Sequence, residues 1–402
     1  MLYLLPLIFA LIGLALYGVL GGADFGAGFW QLTAGRSEHA ERIREHAHHS
    51  MAPVWEANHV WLIFVLTVVW TAYPAAFGSI ASTLCVALLI AGVGIIFRGA
   101  AYALRSGASS LGEQSTIDTA FGISSVITPF ALGAAVGGIA SGRVPLGNAA
   151  GHLFTSWLNP TSILIGVLAV VTGAYLAAVF LSGDAVRAGD DELVRDFRAR
   201  ALVSGLVAGA IAIGGLAVLH SDSHALFEAL VTGKGLPALI VSAVAGIATL
   251  ALVWSWRFEP ARYTAALAVA AIVAGWALAQ SPRFLPGLTV RQAAAPHDAL
   301  VAVVVAVLGG GALLFPSLGT LFRLTLRGHL DYAKPEHAPP PVQGRDAGEP
   351  HHARLMVRVA AALLIAGFGF LNVADAQWAH IVGAACMLAF VATGFRVALP
   401  TL

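Results

Sequence analysis

VWEANHVWLIFVLTVVWTAY (residues 54–73) and AFGSIASTLCVALLIAGVGIIF (residues 76–97) are two long apolar runs, separated only by Pro74-Ala75. Each is long enough to cross a hydrocarbon core of about 30 Å, which takes about 20 residues as a helix. The joint at Tyr73-Pro74 is too short for anything but an antiparallel hairpin. Strands with open edges leave unsatisfied backbone groups in lipid, so both runs are predicted as membrane helices. Working outward, the same criterion finds runs at 2–22, 117–140, 161–182, 201–219, 236–256, 262–280, 298–322, 355–372 and 377–398, which makes eleven. Trp55, Trp70, Trp157, Trp254, Trp276 and Trp378 fall near predicted span ends, where amphipathic rings meet the headgroups.

Composition agrees with this count. Only 11% of the 402 residues are charged and 58% are hydrophobic, against roughly 25% charged in a soluble domain. The fold class is therefore an all-α polytopic membrane protein. A net charge of +1 offers no basic field for nucleic acid and no acidic tail. Cys85 and Cys386 both lie inside apolar runs. That rules out a disulfide scaffold, a CxxC zinc site and a c-type haem attachment motif. The first Lys or Arg is Arg36, so the run from Leu2 is expected to be a retained span rather than a cleaved signal.

The positive charges orient the spans. Loops after odd-numbered spans, with the C-terminal tail, hold 18 of the 22 Lys and Arg, and the opposite face holds 4. Positive residues gather on the cytoplasmic side. The N-terminus is therefore expected outside and the C-terminus in the cytoplasm. Residues 329–353 are polar and carry Pro335, Pro339, Pro340, Pro341 and Pro350, the composition of an extended linker. The expected division is a nine-span body (1–328), this cytoplasmic linker, and a two-span hairpin (354–402).

Ionisable residues within spans are costly and are functional candidates by default. Four stretches place them in one layer. Asp24 ends the first span, Glu56 and His59 open the second, Arg98 closes the third, and Asp118 opens the fourth. Glu56 and His59 are three residues apart and share a helical face. Two carboxylates and an imidazole can pass protons, while Arg98 keeps a carboxylate ionised. On spacing alone the plainer account is favoured: span-end charges meet headgroups and water, and Arg98 is an anchor.

Weaker signals are set aside on physical grounds. Glu56-x-x-His59 has di-iron spacing, but its only repeat, Glu45-x-x-His48, falls in a polar segment read as a loop. His39, His46, His48 and His49 of that segment are expected to be solvated. The glycines at 21, 22, 26 and 28 follow no strand, so they read as close helix packing rather than a dinucleotide fingerprint. His220, Asp222 and His224 are expected in a hydrated outer loop.

The stretch Pro53 to Ile63, with Trp55, Glu56, Asn58, His59 and Trp61, resembles the signature of subunit II of cytochrome bd-type quinol oxidases. So do Asp24-Phe25-Gly26-Ala27-Gly28, Phe97-Arg98, Leu158-Asn159-Pro160 and the Pro-containing stretch Ser281 to Pro286. The resemblance covers roughly residues 1 to 330 in order. It implies two four-helix bundles plus one peripheral helix, in a bacterial cytoplasmic-membrane oxidase that oxidises quinol and reduces O2 to water. It also implies that haems b and d reside in a partner, subunit I, and that this chain binds no cofactor or metal alone. A small single-span subunit, the quinone pool and membrane lipid are the other partners in view. Carried onto this sequence, the family's polar path falls on Asp24, Glu56 and Arg98, with Trp55, Asn58 and Trp61 as structural positions. Three departures stand out: Gly21 and Gly22 where an acid is common, Glu56 where Asp is common, and His59 where Gln or Glu is common. The competing reading is a proton-coupled secondary transporter, which would need broken spans and midplane polar residues in related halves.

Overall fold

The computed structural model describes residues 1–35, 37–51, 55–105, 111–326, 351–373 and 377–398. They form two compact units, Met1–Leu318 and Gly319–Leu402. In the first unit an opening helix is continuous from α1 (Leu5–Leu16) through a π-helical turn (Tyr17–Gly21) into α2 (Gly22–Thr33). Then follow α3 (Glu38–Met51), α4 (Trp55–Ala72), α5 (Pro74–Thr83), α6 (Cys85–Arg105) and α7 (Leu111–Ala140). The chain continues as α8 (Pro160–Ala188), α9 (Asp191–Asp222), α10 (His224–Val231), α11 (Leu236–Trp254) and α12 (Phe258–Gln280). A small antiparallel hairpin of β1 (Arg283–Leu285) and β2 (Leu288–Thr289) leads to α13 (Val290–Ala293) and α14 (His297–Leu326). In the second unit α15 (His351–Val373) packs against α16 (Gln377–Ala398).

All eleven predicted runs fall on helices. Among the described residues eight helices are long and apolar enough to cross a membrane, and shorter apolar stretches lie at 58–72, 358–367 and 378–390. Local chemistry sets several boundaries. Asn159 caps α8 by accepting the Ser162 N–H at 3.0 Å, with Pro160 in the first turn. The helix stops at Gly189, whose φ of 73° suits the left-handed cap. Asp190 then caps α9 by accepting the Leu193 N–H at 3.1 Å.

Two expectations about span ends and one about a loop are corrected. The first helix does not stop at Gly22 but continues to Thr33, so Asp24 lies inside it. The third run is broken at Leu84; its crossing helix is Cys85–Arg105, and Arg98 lies two turns within it. The histidine-rich segment is helix α3, not a loop. Helices in a protein-packed layer need not end where the apolar sequence ends, because neighbouring helices rather than lipid surround them. Of the linker expected at 329–353, residues 329–350 lie outside the described residues and 351–353 open α15.

Close packing centres on α2, α7 and α8. A Cβ on Gly26 would run into the backbone carbonyl of Gly173, so α2 and α8 touch main chain to main chain. Buried Ala23, Ala27, Ala177 and Ala178 continue that contact. This proximity holds the polar residues of α2 in the protein interior.

Candidate functional site

The first structural fact about the polar cluster is its depth. Asp24 is 0% exposed and Arg98 is 2% exposed. An Nη of Arg98 donates to Asp24 Oδ1 at 2.5 Å and to the Asp24 main-chain oxygen at 2.9 Å. The other Nη donates to Ser125 Oγ, whose hydroxyl donates in turn to Phe121 O at 2.7 Å. The guanidinium lies 4.2 Å from the Phe121 ring centre and 5.0 Å from that of Phe25. A buried charge needs this combination of counter-ion, hydrogen bonds and cation–π contacts. Gly28 makes the space, since a Cβ there would collide with Ser125 and Arg98. The sequence reading took Arg98 first as an anchor at the headgroups. It is instead an interior cation on the α2–α6–α7 contact.

A shell of rings surrounds the pair. Tyr17 and Phe25 sit edge to face at 6.4 Å, and the His59 ring is 6.0 Å from Tyr17 and 5.8 Å from Phe25. Tyr17 begins the π-helical turn, a local widening that turns main-chain groups toward neighbouring side chains. Asn58 uses one of them, donating to Leu20 O at 3.3 Å. His59 and Asn58 thus lie in the Asp24 neighbourhood. Trp61 packs 6.3 Å from Phe64. The side chains of Trp55 and Glu56 lie outside the described residues.

Asp118 is elsewhere. Its carboxylate pairs with Arg105 at 2.9 Å, both half-buried. Arg105 is seven residues beyond Arg98, and Asp118 seven before Ser125. At 1.5 Å per residue, this second pair is displaced by about 10 Å along the helices. The single layer of the sequence reading thus resolves into two stacked ion pairs, one interior and one nearer the helix ends.

Several participants escaped the sequence reading. A small cavity of about 10 Å³ is lined by Asp24, Gln31, His48, Arg98, Tyr102 and Phe121, room for about one water. Asp24 Oδ2 is buried and has no hydrogen-bond partner among the described residues. His48 reaches this place because α3 folds back against the bundle through buried Ala40, Ile43 and Ala47. The solvated histidines expected here are otherwise engaged. His46 donates to Leu181 O at 3.1 Å, and His39 bridges Glu192 at 3.3 Å and also Asp196. The side chain of His49 lies outside the described residues.

The opposite edge of α3 is fixed by charge. Arg42 bridges Asp190 at 2.6 Å and Glu192 at 2.5 Å. The Leu193 N–H, and then Arg42, hold the Asp190 carboxyl below its ordinary pKa, and these carboxylates push the Arg42 guanidinium up.

At the far ends of the helices, Asp222 is not in a hydrated loop. It accepts from Arg143 at 2.5 Å and from the Thr161 hydroxyl at 2.6 Å. His220 and His224 stack edge to face at 4.8 Å. Among the described residues no three His, Cys, Asp or Glu side chains converge to hold a metal ion.

Residues 2–325 match the family model for cytochrome bd terminal oxidase subunit II. The chain is 30% identical over 169 residues to the Escherichia coli (strain K12) cytochrome bd-I ubiquinol oxidase subunit 2. That match covers 40% of this chain and only 43% of that protein. A Bacillus subtilis (strain 168) protein, provisionally named cytochrome bd menaquinol oxidase subunit II, is 23% identical over 58% of this chain and 67% of its own length. Among solved structures, the bd oxidase from Geobacillus thermodenitrificans contains a chain that matches with a TM-score of 0.65 at 25% identity. The match covers 81% of this chain and 98% of that one.

Proposed function

This chain belongs to the cytochrome bd terminal oxidase subunit II family, and from that membership we propose that it is the non-haem subunit of a quinol:O2 oxidoreductase in the bacterial cytoplasmic membrane. It is not catalytic alone. Haems b and d, and the oxidation of quinol, belong to the partner subunit I, which this chain supports. The two relatives are named for different quinols, so the substrate is proposed only as a quinol. Family membership displaces the transporter reading.

The chain's own chemical contribution is a route for protons, since reducing O2 to water consumes protons as well as electrons. One observation carries this reading: Asp24 is fully buried and ion-paired, yet one carboxylate oxygen has no partner among the described residues and the side chain lines a water-sized cavity. A pair that served packing alone would be expected to have both oxygens satisfied. His48, Gln31 and Tyr102 around the cavity give a water hydrogen-bonding neighbours. Arg105–Asp118 sits about 10 Å along the same helices, nearer their ends. Glu56 and His59 open the neighbouring α4, on the side where protons enter from the cytoplasm.

The test is Asp24→Asn in the purified complex, with quinol oxidase turnover expressed per haem. The amide keeps an acceptor for Arg98 but cannot carry a proton. Turnover per assembled haem should fall about tenfold or more, apart from any loss of yield caused by leaving Arg98 without its counter-ion. Wild-type turnover per haem would remove Asp24 from the route.

A further inference from the structure

Far from Asp24, a cavity of about 230 Å³ opens where α7, α10, α12 and the β1–β2 hairpin converge; Ser141, His224, Leu226, Gln280, Arg283 and Leu285 are among its lining. We propose that it holds the phosphodiester headgroup of an anionic membrane phospholipid.

Position comes first. The cavity lies at the ends of three apolar helices, after Ala140 of α7, Asp222 of α9 and Gln280 of α12. All three end on the face from which the first helix starts. Such a level is where lipid headgroups meet protein, and Trp276, one turn before Gln280, is an interfacial ring at the same height.

Charge comes second. No acidic residue lines the cavity among the described residues. Arg283 is exposed, and among the described residues its guanidinium has no ion pair or hydrogen bond. Its neighbour Arg143 differs, because Asp222 already neutralises it. An arginine fork without a carboxylate, at headgroup level, matches a phosphate in both charge and geometry. His224, also in the lining, is already engaged, its Nε2 with Glu228 at 3.3 Å and its Nδ1 with His220 O at 3.3 Å, which leaves Arg283 to carry the charge recognition.

Rigidity and shape complete the match. Trp276 Nε1 donates to Gln280 Oε1 at 2.7 Å, and Gln280 Nε2 donates to Phe284 O at 2.7 Å. Those bonds pin the hairpin that carries Arg283 to the end of α12, so the cation is placed in advance. Ile139, Leu226, Ala279 and Leu285 supply an apolar wall for the glycerol and the first chain carbons. At 230 Å³ the space is smaller than the roughly 300–1,000 Å³ of a drug-sized site and suits a headgroup.

The experiment uses the whole complex, delipidated in neutral detergent and titrated with short-chain phosphatidylglycerol, with bound lipid counted by native mass spectrometry. Arg283→Gln should weaken retention about five- to tenfold. Ser141→Tyr, which fills the cavity without touching the charge, should do the same. Arg291→Gln, an exposed arginine nearby, should not. Short-chain phosphatidylcholine should bind more weakly, and millimolar inorganic phosphate should not displace the lipid. Oxidase turnover per haem should be unchanged in all three variants, which separates this site from the proton route. Equal phosphatidylglycerol retention by wild type and Arg283→Gln would overturn the proposal. So would full displacement by inorganic phosphate, which would make the cavity a free-anion site.

Discussion

Removing Arg98 alone should damage the protein far more than removing Arg98 and Asp24 together. In Arg98→Met the apolar stem still fills the space between Phe25 and Phe121, and the thioether keeps favourable contact with both rings. Asp24, however, is 0% exposed and loses its counter-ion at 2.5 Å. Breaking a buried pair from one side costs about 3–5 kcal/mol, whereas replacing both partners by apolar residues of similar volume is often neutral or better. Against a stability of about 5–15 kcal/mol, the single change takes away a large share. It lowers the folded-to-unfolded ratio by roughly 10² to 10³ or more. The double variant Arg98→Met with Asp24→Leu should recover most of that loss. Ser125 becomes the residual cost, because its hydroxyl keeps only the bond to Phe121 O.

The assay is the yield of haem-loaded complex from membranes at fixed expression, together with its thermal midpoint. Arg98→Met should assemble poorly, and the double variant should approach wild type. Once assembled, the double variant should still be slow per haem, because the carboxylate proposed to handle protons is gone. Two results would refute the reasoning. If the two changes add, with the double variant worse than either single one, then the pair is not coupled and the residues pack independently. If the double variant is both stable and fully active, the pair is structural and the proton route lies elsewhere.

Glu56→Gln should lower turnover while haem content holds, and Glu56→Asp should be mild because the acid remains; equal turnover of Glu56→Gln and wild type in a loaded complex would count against it as a proton carrier. Gly28→Ala should cost about 1–3 kcal/mol by overpacking, because the new Cβ meets Ser125 and Arg98; an unchanged thermal midpoint would show that the interface has slack. The part of the α3 anchoring that rests on Asp190 should weaken only in acid. The Asp190 carboxyl sits below its ordinary value in the folded state, so its contribution is complete above the unfolded pKa of about 3.9 and is lost as pH falls through the folded pKa. Hydrogen exchange at Ala40, Ile43 and Ala47 should therefore show no Asp190-linked step between pH 5 and 8, with protection falling below about pH 4. An Asp190→Asn variant with unaltered acid sensitivity would contradict this.

The spans could be read directly because lipid imposes a length and a polarity that few other environments do. All eleven runs fall on helices for that reason. Helix ends were less legible. Past the apolar run, α2 continues through Phe25, Trp30 and Thr33, and hydropathy gives no reason for it; the reason is α8, which packs alongside. The α3 segment looked like a loop because its histidines and acids dominate its composition. A periodicity signal was nevertheless present: Ala40, Ile43 and Ala47 recur at three- and four-residue spacing and form the buried face. Ser125 could not have been found by charge. Its clue was the Ser124-Ser125 pair followed by Thr128 in the membrane-spanning part of α7, a polar strip of the kind that hydrogen-bonds between membrane helices.

The depth of Asp24 also changes what the cluster can do. A charge at a span end is hydrated whatever the protein does, so its presence carries little information. An interior charge is tolerated only where the surroundings compensate it. Arg98 receives most of that compensation from one carboxylate, one main-chain carbonyl, one hydroxyl and two ring faces, while its Nε has no partner among the described residues. Asp24 is also matched in part. One of its oxygens is matched by Arg98, and the other has no protein partner among the described residues. Both side chains line a water-sized cavity, together with Gln31 and His48. A carboxylate held in place by a cation on one side and facing a water-sized cavity on the other is the arrangement that the proposed proton route needs and that a headgroup anchor does not.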